Sequence, residues 1–116
     1  MFIKYNVEIK NEIIIQDIQR LTNLIFKLLP NREENKEWKP ALQNLILEIT
    51  GMKRLIEEYQ SDFLILLCKM ESLLVLDGED DFLHFRRTIF ECLNLLTKIK
   101  NDLRGKNDGL FKSDET

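Results

Sequence analysis

"FLHFRRTIFECLNLLTKIKNDL", residues 82–103, spaces its apolar residues by threes and fours. Phe82, Phe85, Ile89, Cys92 or Leu93, Leu96, Ile99 and Leu103 share one side of a 3.6-residue helix, which predicts an amphipathic helix over residues 81–104. Lys98, Lys100 and Arg104 bring positive charge to its last turns, where the carbonyl end of the dipole favours it, and Gly105 reads as its stop. Just upstream, "DGEDD", residues 77–81, offers Gly78 for a turn and Asp80 or Asp81 as a cap.

Such a stripe needs other stripes to bury it, and the chain supplies three. Residues 62–76, "DFLILLCKMESLLVL", are apolar in nearly every direction, interrupted only by Asp62, Lys69, Glu71 and Ser72. A helix of that kind is either central in its own domain or covered by another chain, and a domain this small has little room to surround it, so self-association is expected. Residues 40–59 carry Leu42, Leu45, Ile46, Ile49, Met52, Leu55 or Ile56, and Tyr59, a stripe that continues through Gly51. Close approach of a neighbouring helix, or a local bend, is the expected compensation for that glycine. Ser61 and Asp62 mark a break before the next helix. Residues 12–29 repeat the pattern at Ile14, Ile18, Leu21, Ile25 and Leu28 or Leu29, with Asn11 as cap and Pro30 as terminator. In the polar connection that follows, Trp38 is expected to fold onto the bundle as a lid, a ligand-stacking role being the alternative.

The opening, "FIKYNVEIK", has a different period. Ile3, Tyr5, Val7 and Ile9 alternate with polar residues, which predicts a short extended N-terminal arm or strand over residues 1–10 that pairs with a second subunit. The alternative extends the first helix, with Ile3 and Val7 on its inward stripe. The expected organisation is therefore an all-α four-helix bundle over residues 11–105, preceded by this arm and followed by a mobile tail, residues 106–116.

Composition narrows the function. With 116 residues, 44% hydrophobic content and only 4 Gly and 2 Pro, the chain suits one helical domain and has too few turn signals for a β-sandwich. A net charge of -3 with interspersed signs provides no general basic field for a phosphate backbone. No apolar run has the length of a signal peptide or a membrane span, so the expected location is cytoplasmic. Cys68 and Cys92 lie among apolar residues and read as buried small hydrophobes.

Candidate chemistry is sparse. The one histidine, His84, has no Glu-x-x-His context, and "DGEDDF" places Phe82 where a calcium loop needs glycine. Cys68 with His84 is the one conceivable nucleophile pair, and no glycine-rich elbow or phosphate loop accompanies it. No catalytic residue, cofactor or metal is therefore expected. Lys53 and Arg54 in "GMKRLIEEY", together with Arg86 and Arg87, could serve a nucleic-acid accessory protein, although Glu57 and Glu58 adjoin the first pair. Arg86 and Arg87 lie on the outer side of the last helix, solvated or paired with Glu91; beside Phe90 they could instead anchor a protein partner, because Arg and aromatic residues are enriched at interface hot spots.

The run from "LLVLDG" through the acidic turn to "FRRTIFECLNLLTKI" is loosely similar to the last two helices of BAG domains, modules that bind the ATPase domain of a chaperone. The likeness covers roughly residues 71–103 and rests on Glu71, Arg86, Arg87 and Asn94. That family's last helix is more basic, with Gln near Asn94, and no expectation is carried over from it. The expected function is a non-enzymatic protein-interaction module, acting as a homo-oligomer or as a small adaptor or inhibitor of a larger protein. Its contact residues are Ile3, Tyr5, Val7 and Ile9 of the arm and Arg86, Arg87 and Phe90 of the last helix. A phage or mobile-element inhibitor or immunity protein also suits the small, Ile/Asn/Lys-rich helical build.

Overall fold

Four amphipathic stripes fold against one another as α1 (Phe2–Phe26), α3 (Lys39–Leu55), α4 (Gln60–Leu73) and α5 (Phe82–Glu115), with a short α2 (Leu28–Glu33) continuing α1 and a 3-10 turn (Glu79–Asp81) leading into α5. The computed structural model describes residues 2–115, with side chains from Lys10 to Lys106. Among the described residues there is no strand. The helices alternate in direction, and α1 is flanked by α3 and α5, as α4 is on the opposite corner. Polar contacts mark the antiparallel pairings. Arg20 of α1 reaches Glu48 of α3 at 2.8 Å, Lys100 of α5 donates to Gln19 of α1 at 3.1 Å, and Lys69 of α4 meets Glu91 of α5 at 2.5 Å. The envelope is long, 57 × 22 × 21 Å, because the 34 residues of α5 outrun the 14 of α4.

The core is the set of stripes read from the sequence. Ile18, Leu21, Ile25, Leu42, Ile49, Phe63, Leu66, Met70, Phe85, Ile89, Leu96 and Ile99 are all fully buried. Several boundaries differ, for identifiable reasons. α1 starts at Phe2, so the expected extended arm is helical and Asn11 is a buried residue within the helix rather than a cap. An extended segment here would have no strand to bond with, whereas a helix satisfies its own backbone groups. Pro30 does not end the helical run: it lies inside α2, and the break falls earlier, at Lys27. Pro30 has no N–H to donate to the carbonyl of Phe26, and the ladder resumes around it through Lys27 to Asn23 and Asn31 to Lys27, both 3.2 Å. Beyond the C-cap of α2, Asn35 turns left-handed at φ 56°, and the amides of Asn35 and Lys36 fold back onto the carbonyls of Arg32 and Asn31. Gly105 does not stop α5, which continues to Glu115, because an isolated glycine costs a helix only about 1 kcal/mol.

The break between α3 and α4 is made by Tyr59 rather than Ser61. Tyr59 takes a left-handed conformation, φ 64°, and its hydroxyl donates to Asp102 of α5 while Lys106 lies 4.8 Å from its ring. Gln60 then turns its amide back onto the carbonyls of Lys53 and Ile56, satisfying the end of α3. At the other end Arg32 fills the same role for the α4–α5 connection, donating to the carbonyls of Leu76 at 2.9 Å and Gly78 at 2.8 Å. Its guanidinium lies 4.9 Å from the ring of Phe85, against which Trp38 packs edge-on at 5.1 Å. Trp38 is thus the lid expected of it.

Gly51 has no close neighbour. A Cβ built there meets nothing within 4 Å, so neither of the expected compensations is needed. Gly51→Ala is expected to stabilise the fold by about 0.5–1 kcal/mol through helix propensity. A higher urea midpoint with unchanged slope would show this, and a lower one would mean that the glycine's backbone freedom is used.

Candidate protein-interaction surface

Arg86 and Phe90 stand one turn apart on the flank of α5 that faces α1. The Arg86 guanidinium lies 5.7 Å from the Phe90 ring centre, and Phe90 meets Phe26 of α1 edge-on, with ring centres 6.5 Å apart and planes at 70°. These rings are not core: Phe26 is 51% and Phe90 40% exposed. Beside them a groove of about 430 Å³ runs between the helices, lined by Thr22, Asn23, Phe26, Lys27 and Leu93. Arg87 takes the other side of α5, towards Glu91. That carboxyl is held below its usual range chiefly by the hydrogen bond from Lys69, with a smaller contribution from the charge of Arg87. The structure therefore brings together Arg86 and Phe90 and sets Arg87 apart from them.

Phe26 is absent from the sequence expectation. It lies off the inward stripe of α1, and only the antiparallel pairing with α5 sets it against Phe90. The side chains of Ile3, Tyr5, Val7 and Ile9 lie outside the described residues. Lys53 and Arg54 occupy the last turn of α3, at the end of the bundle marked by Tyr59 and Asp102. Arg86 lies about 24 Å further along α5 from Asp102, at 1.5 Å per residue. The four cations therefore do not form one patch.

The remaining candidates are also separated. The Lys69–Glu91 pair sets Cys68 level with Glu91, about two turns or 10 Å along α5 from His84. The acidic turn closes on itself in the 3-10 turn that leads into α5: the amide of Gly78 donates to the Asp81 carboxylate at 3.2 Å. Among the described residues no three His, Cys, Asp or Glu side chains come together as a possible metal site. No described helix is long and apolar enough to cross a membrane.

Cys92 is buried as expected, and Cys68 is exposed. The difference lies in α4 itself. Phe63, Leu66, Met70 and Leu73 face the core, while Leu64 at 55% and Ile65 at 47% exposure share the outer face with Cys68. With apolar residues in every direction, the sequence of α4 does not distinguish these faces. Burial pushes the Cys92 thiol up to about 12. A maleimide is accordingly expected to modify one thiol per chain in buffer and two in denaturant, read by mass; two in buffer would contradict the buried position of Cys92.

A second apolar groove, about 410 Å³, lies between α1 and α3, with Ile13 and Leu55 on its rims and Gly51 and Met52 in its wall. No family model matches the chain, nor does any curated protein or solved structure.

Proposed function

We propose that this chain is a non-enzymatic helical module that binds a protein partner, as an adaptor or small inhibitor, through the α1–α5 flank. The observation that carries the reading is the Arg86–Phe90–Phe26 stack. Two aromatic rings and a guanidinium, half-exposed on rigid helices, have the composition of a binding hot spot and contribute little to the core they sit on. The helices fix the backbone beneath these groups, and each ring has only two side-chain torsions to order on contact. The free thiols of Cys68 and Cys92 suit a cytoplasmic setting for this role. Affinity capture of the tagged chain from its own cells at moderate salt, in parallel with the Phe90→Ala variant, tests the reading. A stoichiometric protein recovered with the first and lost with the second supports it; equal recovery with both would remove this surface from the function.

Self-association is a second reading, favoured by the outer face of α4, where Leu64 and Ile65 are exposed, and by the exposed Val75 in the turn that follows it. Light scattering on the purified protein tests it: a dimer mass that Leu64→Glu converts to a monomer supports it, and a monomer at high concentration removes it.

A further inference from the structure

The α1–α5 flank differs from the rest of the surface in sign as well as in apolarity. The chain as a whole is acidic, with 20 Asp and Glu against 17 Lys and Arg. Around the exposed rings the balance is reversed. α1 and α2 carry no carboxylate between Asp17 and Glu33, and Asp17 is turned to Arg20 on the α3 side. Between Phe82 and Asn101, α5 carries only Glu91, which is drawn to Lys69 on the α4 side. What remains beside Phe26, Phe90 and Leu93 is Lys27, at the junction of α1 and α2, and Arg86 on α5. Among the described residues no carboxylate pairs with either of them.

We infer that this flank accepts an acidic segment of a partner protein, one that carries one or two large apolar side chains. The apolar groups would lie on Phe26, Phe90 and Leu93 in the groove, and the carboxylates would meet Arg86 and Lys27. Arg86 is suited to this because its planar guanidinium can stack on Phe90 and still present N–H groups to a carboxylate at its edge. Desolvation by the apolar contact strengthens such a pair beyond its value in open water. The complementary charge also excludes basic segments, which would meet two unpaired cations of like sign. The inference rests on the reading of this flank as a protein contact and adds the chemical class of the partner.

The test is selection from a displayed library of random 16-residue peptides against the full chain, with a pool of random single-stranded RNA run in parallel. The expected result is enrichment of peptides rich in Asp and Glu that also hold large apolar residues. Their binding should weaken at least tenfold on Arg86→Glu, on Lys27→Glu and on Phe90→Ala, and should weaken with added salt. All three residues are surface groups, and an unchanged thermal midpoint identifies each variant as folded. Enrichment of neutral or basic peptides that depend on Phe90 but not on Arg86 or Lys27 would overturn the acidic partner while leaving the flank a protein contact. Peptides indifferent to Phe90→Ala, or no enrichment, would overturn both. Retention of RNA through Arg86 and Lys27 without peptide enrichment would overturn the inference in favour of a nucleic-acid ligand.

Discussion

Phe85→Ala is expected to destabilise the protein by about 3–5 kcal/mol, the usual range for deleting a fully buried aromatic side chain. Phe85 has no exposed surface, and three elements converge on it: Trp38 from the start of α3, Arg32 from α2, and the stripe of α5 to which it belongs. Without the ring, Trp38 loses the surface it packs on. Arg32 loses one of the two aromatic faces that hold its guanidinium on the carbonyls of Leu76 and Gly78. Since domains of this size are stable by about 5–15 kcal/mol, the variant should lose a large share of its margin. Urea unfolding followed by the fluorescence of Trp38, the chain's single tryptophan, measures this directly. A loss below about 1 kcal/mol would mean that this end of the bundle is not closed as described.

The second large effect concerns binding and should leave stability nearly untouched. Arg86→Ala and Phe90→Ala are each expected to weaken the complex with the captured partner by about 2 kcal/mol, roughly thirtyfold. Surface substitutions of this kind usually alter folding by less than about 0.5 kcal/mol. Because Arg86 stacks on Phe90, the double variant should lose less than the sum of the two, the coupling expected of residues in contact. Calorimetric titration of the partner into the four proteins gives the cycle. Additive losses would separate the two residues, and unchanged affinities would remove the flank from the interface.

Most of the architecture is legible in the amino-acid order, because burial in a helical bundle follows from a stripe of period 3.6. The residues expected inside the first and last helices, Ile14 to Ile25 in α1 with Leu28 at the start of α2, and Phe85 to Leu103 in α5, are inside, whereas Phe82 at the start of α5 is only partly buried. The ends of the helices are less legible, since terminators act in context. Pro30 is a barrier only to one hydrogen bond, and Gly105 only a modest penalty in a helix that already has α1 beside it. The alternation from Ile3 to Ile9 also contains the i, i+4 pair Ile3 and Val7, so the same letters fit both periods, and the lack of a partner strand decides for the helix. Arg32 shows another limit. Nothing in "NREENKE" marks one basic residue as the cap of a turn over forty residues away; only the folded chain delivers Leu76 and Gly78 to it. The candidate surface was half visible: Arg86 and Phe90 are one turn apart in sequence, whereas Phe26 and Lys27 join them through packing alone.

Hydroxyl-radical footprinting of the complex recovered with the tagged chain tests the central claim most directly, because it reads the exposure of individual side chains. The account requires Phe26 and Phe90, exposed in the free protein, to lose reactivity in the complex while Leu64 and Ile65 on α4 keep theirs. Unchanged reactivity at both phenylalanines, with or without protection on α4, would contradict it.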